Sequence, residues 1–204
     1  MATTDLDRSQ RAESAKAQRR EELLAAARRV FAARGFRGTT IADIAEEAGI
    51  ALGTIYLYFP SKEEVFAALT QQLGDLITEA MSDSLGVTTL EEVVGLAVGN
   101  VFRVCEENRD LVRLVVLNTD PESAAAQQLR RADELRVVPI VQRLERAMEA
   151  GLVRPGDACI MAKLVTGSVS IAVYQALVLS DGSDVDKYRT ACTDMVTAYL
   201  RPQA

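Results

Sequence analysis

The stretch Thr40-Ile41-Ala42-Asp43-Ile44-Ala45-Glu46-Glu47-Ala48-Gly49-Ile50-Ala51-Leu52-Gly53-Thr54-Ile55-Tyr56-Leu57-Tyr58-Phe59 decides how this chain reads. Thr40 can cap a short helix whose one face carries Ile41, Ile44, Ala45 and Ala48. Gly49 then accepts the left-handed backbone that a tight turn between two helices demands. Ala45 is small enough for a second helix to approach closely, and Ile44, Ala48, Ile50 and Ile55 are apolar where the crossing must seal. The spacing therefore predicts a helix-turn-helix over Ile41 to Phe59, its second helix running from Leu52 to Phe59 with its first turn free to enter a DNA major groove. A plain helical hairpin inside an α-bundle satisfies the same pattern.

Outward from this motif the periodicity is helical. Leu23, Leu24, Ala27, Val30 and Phe31 form an apolar stripe that Gly35 stops. Pro60-Ser61 opens a long helix, with Ser61 and Glu64 as a capping box and Val65, Phe66, Leu69, Leu73, Leu76 and Ile77 facing inward. Leu85-Gly86-Val87-Thr88 reads as a linker, and Thr89 with Glu92 repeats the box. Asn118-Thr119-Asp120-Pro121 begins a polar-faced helix that Pro139 should kink or interrupt. Two last helices are expected over about 157–180 and 184–200, and no alternating run suggests a strand. The fold class is all-α with about nine helices: a three-helix head and a helical body. Domain boundaries fall at 1–15 for a flexible polar leader, 16–62 for the head and 63–204 for the body.

Composition narrows the function. Hydrophobic residues make up 49% of the chain and aromatics 5%, with Ala, Leu and Val prominent, which suits closely packed helices. No histidine is present, so the commonest neutral-pH base and metal ligand is missing. No metal-ligand spacing and no phosphate-cradling glycine loop appears, and the reading is not an enzyme, with no cofactor and no metal. Cys105, Cys159 and Cys192 are odd in number, widely spaced and beside apolar residues, as buried free thiols are. No uninterrupted apolar run matches a membrane span, and the polar start lacks a signal-peptide core, so a cytoplasmic protein is expected. The net charge of −6 hides an asymmetry: residues 1–62 balance at +2 and residues 63–204 at −8. A basic head on an acidic body can meet phosphates, though an ordinary solvated surface accounts for the imbalance nearly as well.

The run from Thr40 to Phe59, followed by Lys62-Glu63 and preceded by Ala27-Arg28-Arg29-Val30-Phe31 and Gly35-Phe36, closely resembles the N-terminal signature of the tetracycline-repressor (TetR) family. The resemblance covers about residues 20–66; beyond them it extends only to helix number, length and order. It implies a DNA-binding head, a ligand-binding body and a homodimer formed mainly by the last two helices. Carried over by position, Thr40 would hold phosphate at a helix N-terminus. Gly53 and Thr54 would meet base edges, Tyr56 a base or the backbone, and Tyr58 and Lys62 phosphates, unless the two tyrosines simply pack in the head and Lys62 is only a solvated helix-start residue. Leu52 and Leu57 stand where many relatives carry polar or aromatic contact residues, leaving thymine methyl contact or packing beside phosphates. Direct readout is then thin, and DNA shape and the basic residues Arg11, Lys16, Arg19 and Arg20 carry more of the specificity.

For the body, Phe66, Phe102, Cys105, Leu114, Leu117, Met148, Met161 and Tyr174 are candidate ligand-lining residues, core packing being the other reading of each. Leu164, Gly167, Ser168, Ile171, Gln175, Tyr188, Met195 and Tyr199 are the candidate dimer face. The expected function is a ligand-responsive repressor that leaves palindromic operator DNA when a hydrophobic or amphipathic effector binds the body. The helix from about Ser61 to Asp83 would act as the lever. The alternatives are the same architecture acting as an activator, or a small-molecule-binding protein that has lost DNA binding.

Overall fold

The computed structural model describes residues 2–82, 89–118 and 124–202, of which 2–9, 12, 82 and 124–136 are described by backbone alone. Nine α-helices run through these residues, and no strand occurs among them. They divide into two compact units, Met1–Leu69 and Thr70–Ala204. The expected linker at 85–88 and the expected helix start at 119–121 lie outside the described residues.

The first unit holds α1 (Ala2–Arg34), α2 (Ile41–Glu47), α3 (Leu52–Ile55) and the first part of α4 (Lys62–Ser82). Where a flexible leader is expected over 1–15, the backbone of residues 2–15 is helix. The segment contains neither Gly nor Pro, so no strong helix breaker stands in it. Leu23, Leu24, Ala26, Ala27, Val30 and Phe31 on α1 are buried, as are Ile44, Ala45 and Ile55. The centre is aromatic: Phe36 lies 5.6 Å from Phe31 and 4.9 Å from Phe66, and Phe31 meets Phe66 edge-on at 6.5 Å.

In the second unit α5 (Leu90–Glu107) packs on α9 (Val185–Leu200), α7 (Ala124–Glu149) on α8 (Ala158–Tyr174), and α8 on α9. Thr89 and Glu92 form the expected capping box at the start of α5. Val94, Val98, Val101, Phe102 and Cys105 are buried on α5, and Leu111, Val112, Leu114 and Val115 on α6 (Arg109–Asn118). Helix α7 continues through Pro139. Two side chains serve the end of α4, where carbonyls lack helical partners: Asn100 Nδ2 donates to Ala80 O and an Arg143 guanidinium N–H to Met81 O.

The helix expected over about 157–180 is present, but its last turn is not α-helical. It continues as a π-helical turn, Gln175–Leu179. Arg109 holds this turn by donating from Nε to Leu177 O at 3.2 Å. Arg109 and Arg113 both reach Asp181 Oδ1, at 2.6 and 3.1 Å, and Asp181 keeps a positive φ of 50°. A left-handed non-glycine residue costs of order 1 kcal/mol, and the two guanidinium contacts offset it.

Two sequence expectations need correction. Cys105 and Cys192 are buried free thiols, but Cys159, on the first turn of α8, is exposed. The stretch Ala158–Leu179 is long and apolar enough, by length and composition, to cross a membrane; counting uninterrupted apolar runs missed it. Met161, Ala162, Ala172, Val173, Ala176 and Leu177 on this stretch are buried in the unit, and Lys163 and Ser170 are exposed. Its outward apolar residues form one stripe rather than the full girdle that lipid favours.

Candidate nucleic-acid interface

The first unit builds the interface from its turns. Helix α1 ends at Gly35, φ 70°, and Thr39 closes that end by donating its hydroxyl to Gly35 O at 2.8 Å. Thr40 then caps α2. Its Oγ1 accepts from Asp43 N at 3.2 Å and donates to Asp43 Oδ2 at 2.7 Å, while Asp43 Oδ2 also accepts from Thr40 N at 2.8 Å. Arg34 completes the group at 2.6 Å from Asp43 Oδ1. The Thr40 hydroxyl and backbone N–H, helped by Arg34, hold the Asp43 carboxyl below the usual carboxylate range. A second α1–α2 tie joins Arg29 to Glu47 at 2.7 Å.

The turn between α2 and α3 closes as a Schellman motif. Ile50 N donates to Ala45 O and Gly49 N to Glu46 O, both at 3.0 Å, with Gly49 at φ 67°. Ile44, Ala45 and Ile55 seal the crossing, as their spacing implies. Helix α3 is shorter than expected: it spans Leu52–Ile55, and Tyr56–Tyr58 continue as turns on Thr54 O and Ile55 O. Ala51 at its N-cap offers no side-chain hydrogen bond, and Thr54 N donates to Ala51 O at 2.8 Å.

What α3 presents outward is apolar. Leu57 is 77% exposed, and Leu52 and Tyr56 are close to half exposed. Gly53 is exposed, Thr54 and Tyr58 are half-buried, and Thr40 is exposed. Gly53 has an ordinary φ, and a Cβ built on it would meet nothing within 4 Å. Nothing inside the chain requires glycine there. Leu52, Gly53, Thr54, Tyr56 and Leu57 thus share one short surface.

Lys62 is placed differently. Its ammonium donates to Phe36 O at 3.1 Å and Thr39 O at 2.8 Å and lies 4.7 Å from the Phe36 ring centroid. It ties the start of α4 to the turn before α2, leaving at most one donor for a phosphate. The rigid connection of these turns is what the sequence did not reveal, because Phe36 and Thr39 contribute carbonyls, which carry no residue-type signal.

The candidate body residues separate. Phe66 belongs to the aromatic centre of the first unit, because the first part of α4 is built into the head. Phe102, Cys105, Leu114 and Met161 are buried in the second unit, and Met148 and Tyr174 are half-buried. Leu117, near the end of α6, is 59% exposed. Burial pushes the Cys105 thiol up to about 12, so it stays protonated at neutral pH. On α8, Leu164, Gly167 and Ile171 are exposed, and Ile160, absent from the sequence candidates, extends their stripe at helical spacing. Ser168 is half-buried, its hydroxyl on Val165 O, and Gln175 is half-buried. On α9, Met195 is half exposed, while Tyr188 and Tyr199 are half-buried, the latter under the Arg154 guanidinium at 4.3 Å.

Comparison with known proteins bears on this geometry. Residues 23–69 match the family of bacterial regulatory proteins called the tetR family. The HTH-type transcriptional activator FasR of Mycolicibacterium smegmatis is 30% identical over 174 residues, 83% of this chain and 76% of FasR. The chain belongs to the tetR family. The HTH-type transcriptional repressor KstR2 of Mycobacterium tuberculosis is 35% identical over 111 residues, 53% of this chain and 54% of KstR2. The chain spans about half the length of the first curated relatives it matches. Among solved structures, the fatty acid degradation regulator FadR from Bacillus halodurans has a TM-score of 0.78 at 21% identity, covering 91% of this chain and 97% of that one. FadR from Bacillus subtilis, solved with stearoyl-CoA, has a TM-score of 0.74 at 19% identity, covering 89% and 99%. These likenesses show a shared tetR-family fold, all-helical as the sequence implies.

Proposed function

We propose that this chain is a homodimeric transcriptional repressor, cytoplasmic and without enzymatic activity, that binds palindromic operator DNA through α2 and α3 and releases it when an effector occupies the second unit. The observation that carries the reading is the exposed surface of α3, where Leu52, Gly53, Thr54, Tyr56 and Leu57 stand outward from a turn closed by Gly49. Thr54 and Tyr56 supply the hydrogen bonds to base edges, and Leu52 and Leu57 supply thymine methyl contacts. Thr40 and Tyr58 meet phosphates, with the last donor of Lys62 beside them.

Dimerisation uses α8 and α9. Ile160, Leu164 and Ile171 on one helix and Met195 on the next are large apolar side chains left uncovered by the unit, and Gly167 between them lets a partner helix approach. Two heads held by such an interface can address half-sites about 34 Å apart. Among the described residues, the buried polar side chains of the second unit are Thr70 and Thr197. That interior suits an apolar or amphipathic effector, and a long-chain acyl thioester such as stearoyl-CoA is the first compound to try. Phe102, Cys105, Leu114, Met148, Met161 and Tyr174 are the side chains offered to it, and α4, which runs through both units, transmits its arrival.

The test is a mobility-shift titration on DNA from upstream of the gene, with and without stearoyl-CoA. Retarded DNA released by the acyl thioester is expected. Absence of a shift, or indifference to acyl thioesters of every length, contradicts the DNA or the effector part respectively. FasR is an activator, so the second reading keeps the architecture and reverses the output; a promoter fusion that falls on deletion of the gene selects it.

A further inference from the structure

The π-helical turn at the end of α8 changes which residue that helix presents outward. Wound at about 100° per residue, Ile160, Leu164, Gly167 and Ile171 fall within about 60° of one another, and all four are exposed. Carried on as α-helix, Val178 would enter this span, and Leu179 would stand about 60° beyond its edge, on the side of buried Ala172. The chain does the reverse: Val178 is buried and Leu179 is 57% exposed. The cause is one residue of extra backbone. Ser180 N donates to Gln175 O at 2.9 Å, one residue further back than in an α-helix, and Gly182 N donates to Ala176 O at 2.8 Å. Leu179 is thereby set back by one position, about 100°, into the direction an α-helix would have given Val178.

Such a turn leaves carbonyls without helical partners and needs support from outside. Arg109, the first residue of α6, supplies it. Its Nε donates to Leu177 O at 3.2 Å, the carbonyl that an α-helix would have paired with Asp181 N. Its Nη2 bonds Asp181 Oδ1 at 2.6 Å, where Arg113 joins it at 3.1 Å. The guanidinium also lies close against Gly182, φ 80°, where a Cβ would meet Nη1 at 2.7 Å. Two successive left-handed residues, Asp181 and Gly182, then end the helix directly after the π turn.

We propose that Arg109 is a register clasp: by holding Leu177 O and Asp181 it keeps the π turn, and so places Leu179 in line with Ile160, Leu164 and Ile171 on the face that a second copy of the chain covers. The proposal rests on the dimer part of the reading above. A second copy is the occupant because Leu179 continues, about two turns further on, the stripe to which that reading assigns the partner helix. No charged side chain falls within the span of that stripe between Ile160 and Leu179.

Two readouts separate the clasp from the dimer. The first uses the full chain carrying Cys159→Ser, to remove the exposed thiol, and Ile171→Asp, to keep the chain monomeric. Val178→Cys and Leu179→Cys are introduced one at a time and treated with a maleimide at neutral pH. The Leu179→Cys thiol should react at least about tenfold faster than the Val178→Cys thiol, and adding Arg109→Met should bring the two within about threefold or reverse them. Similar rates with Arg109 in place, or a gap that survives its loss, overturn the clasp. Should Arg109→Met not fold, Asp181→Ala, at a side chain 85% exposed, must narrow the gap in the same direction; an unchanged gap overturns the clasp equally. The second readout is sedimentation equilibrium without Ile171→Asp. Leu179→Ala and Arg109→Met should each weaken self-association by about tenfold, with little further loss in combination, because both act through one contact. Unchanged association in Leu179→Ala, or losses that multiply in the double variant, overturn the place of Leu179 in the interface. If the unaltered chain is monomeric at every concentration, it is the dimer reading that fails, and the thiol rates alone decide the clasp.

Discussion

Among the described residues, the apolar surface on α3 and the one on α8 differ in the element that carries them. The surface on α3 is a single turn. Leu52, Tyr56 and Leu57 are exposed on it together with Gly53, and Thr54 is half-buried. The surface on α8 is a stripe of Ile160, Leu164 and Ile171 with the exposed Gly167 in it, and Met195 is exposed on α9. The first is carried by polar scaffolding: Thr40, Asp43 and Arg34 bond one another, and Lys62 is held by the Phe36 and Thr39 carbonyls. The second is carried by ordinary apolar packing between α8 and α9. Under the proposed function, the hydrocarbon on the short, internally braced element meets base edges and that on the long helix meets a second copy.

The comparison can be broken at several points. The largest effect is expected from Phe66→Ala, which empties the aromatic centre below α3 and should cost roughly 3–5 kcal/mol. A thermal melt should show it, with DNA binding lost as well; if effector binding fails while the head stays intact, Phe66 belongs to the body after all. Next, Ile171→Asp puts a charge on the α8 stripe and should weaken self-association by about a hundredfold or more, read by sedimentation equilibrium, with little change in monomer helicity. Lys62→Met strips donors from two carbonyls and should cost about 1–2 kcal/mol of stability. Its salt slope for DNA should move by less than one unit, whereas a phosphate contact would remove about one. Smallest is Leu57→Ala: stability within about 0.5 kcal/mol, and a loss of order 1 kcal/mol confined to operator variants bearing thymine at one position.

The head was legible because its turns demand particular residue types. Gly35 and Gly49 occupy left-handed backbone, Thr40 and Asp43 form a box, and Ile44, Ala45 and Ile55 are buried where their spacing puts them. What the sequence hid there was the shortness of α3 and the internal use of Lys62, both set by backbone groups that every residue shares. The body was legible as helices but not as a site. Its apolar residues recur at helical spacing on inward and outward faces alike, so periodicity could not tell Leu114, buried, from Leu117, exposed. Phe66 was misplaced because a continuous helix carries no mark where one core ends and the next begins. The π-helical turn at Gln175–Leu179 depends on Arg109 and Arg113 reaching Asp181 about seventy residues away in sequence, a long-range pairing that no local pattern signals.

The central claim is that the turn-closed surface of α3 reads DNA. The most direct measurement is selection of duplexes from a random pool by the purified chain, followed by sequencing, in parallel with a Thr54→Ala, Tyr56→Ala variant. One palindromic motif with half-sites a DNA turn apart, enriched by the unaltered chain and lost in the variant, is the predicted result. A pool left unenriched, or the same motif recovered by both proteins, would contradict it.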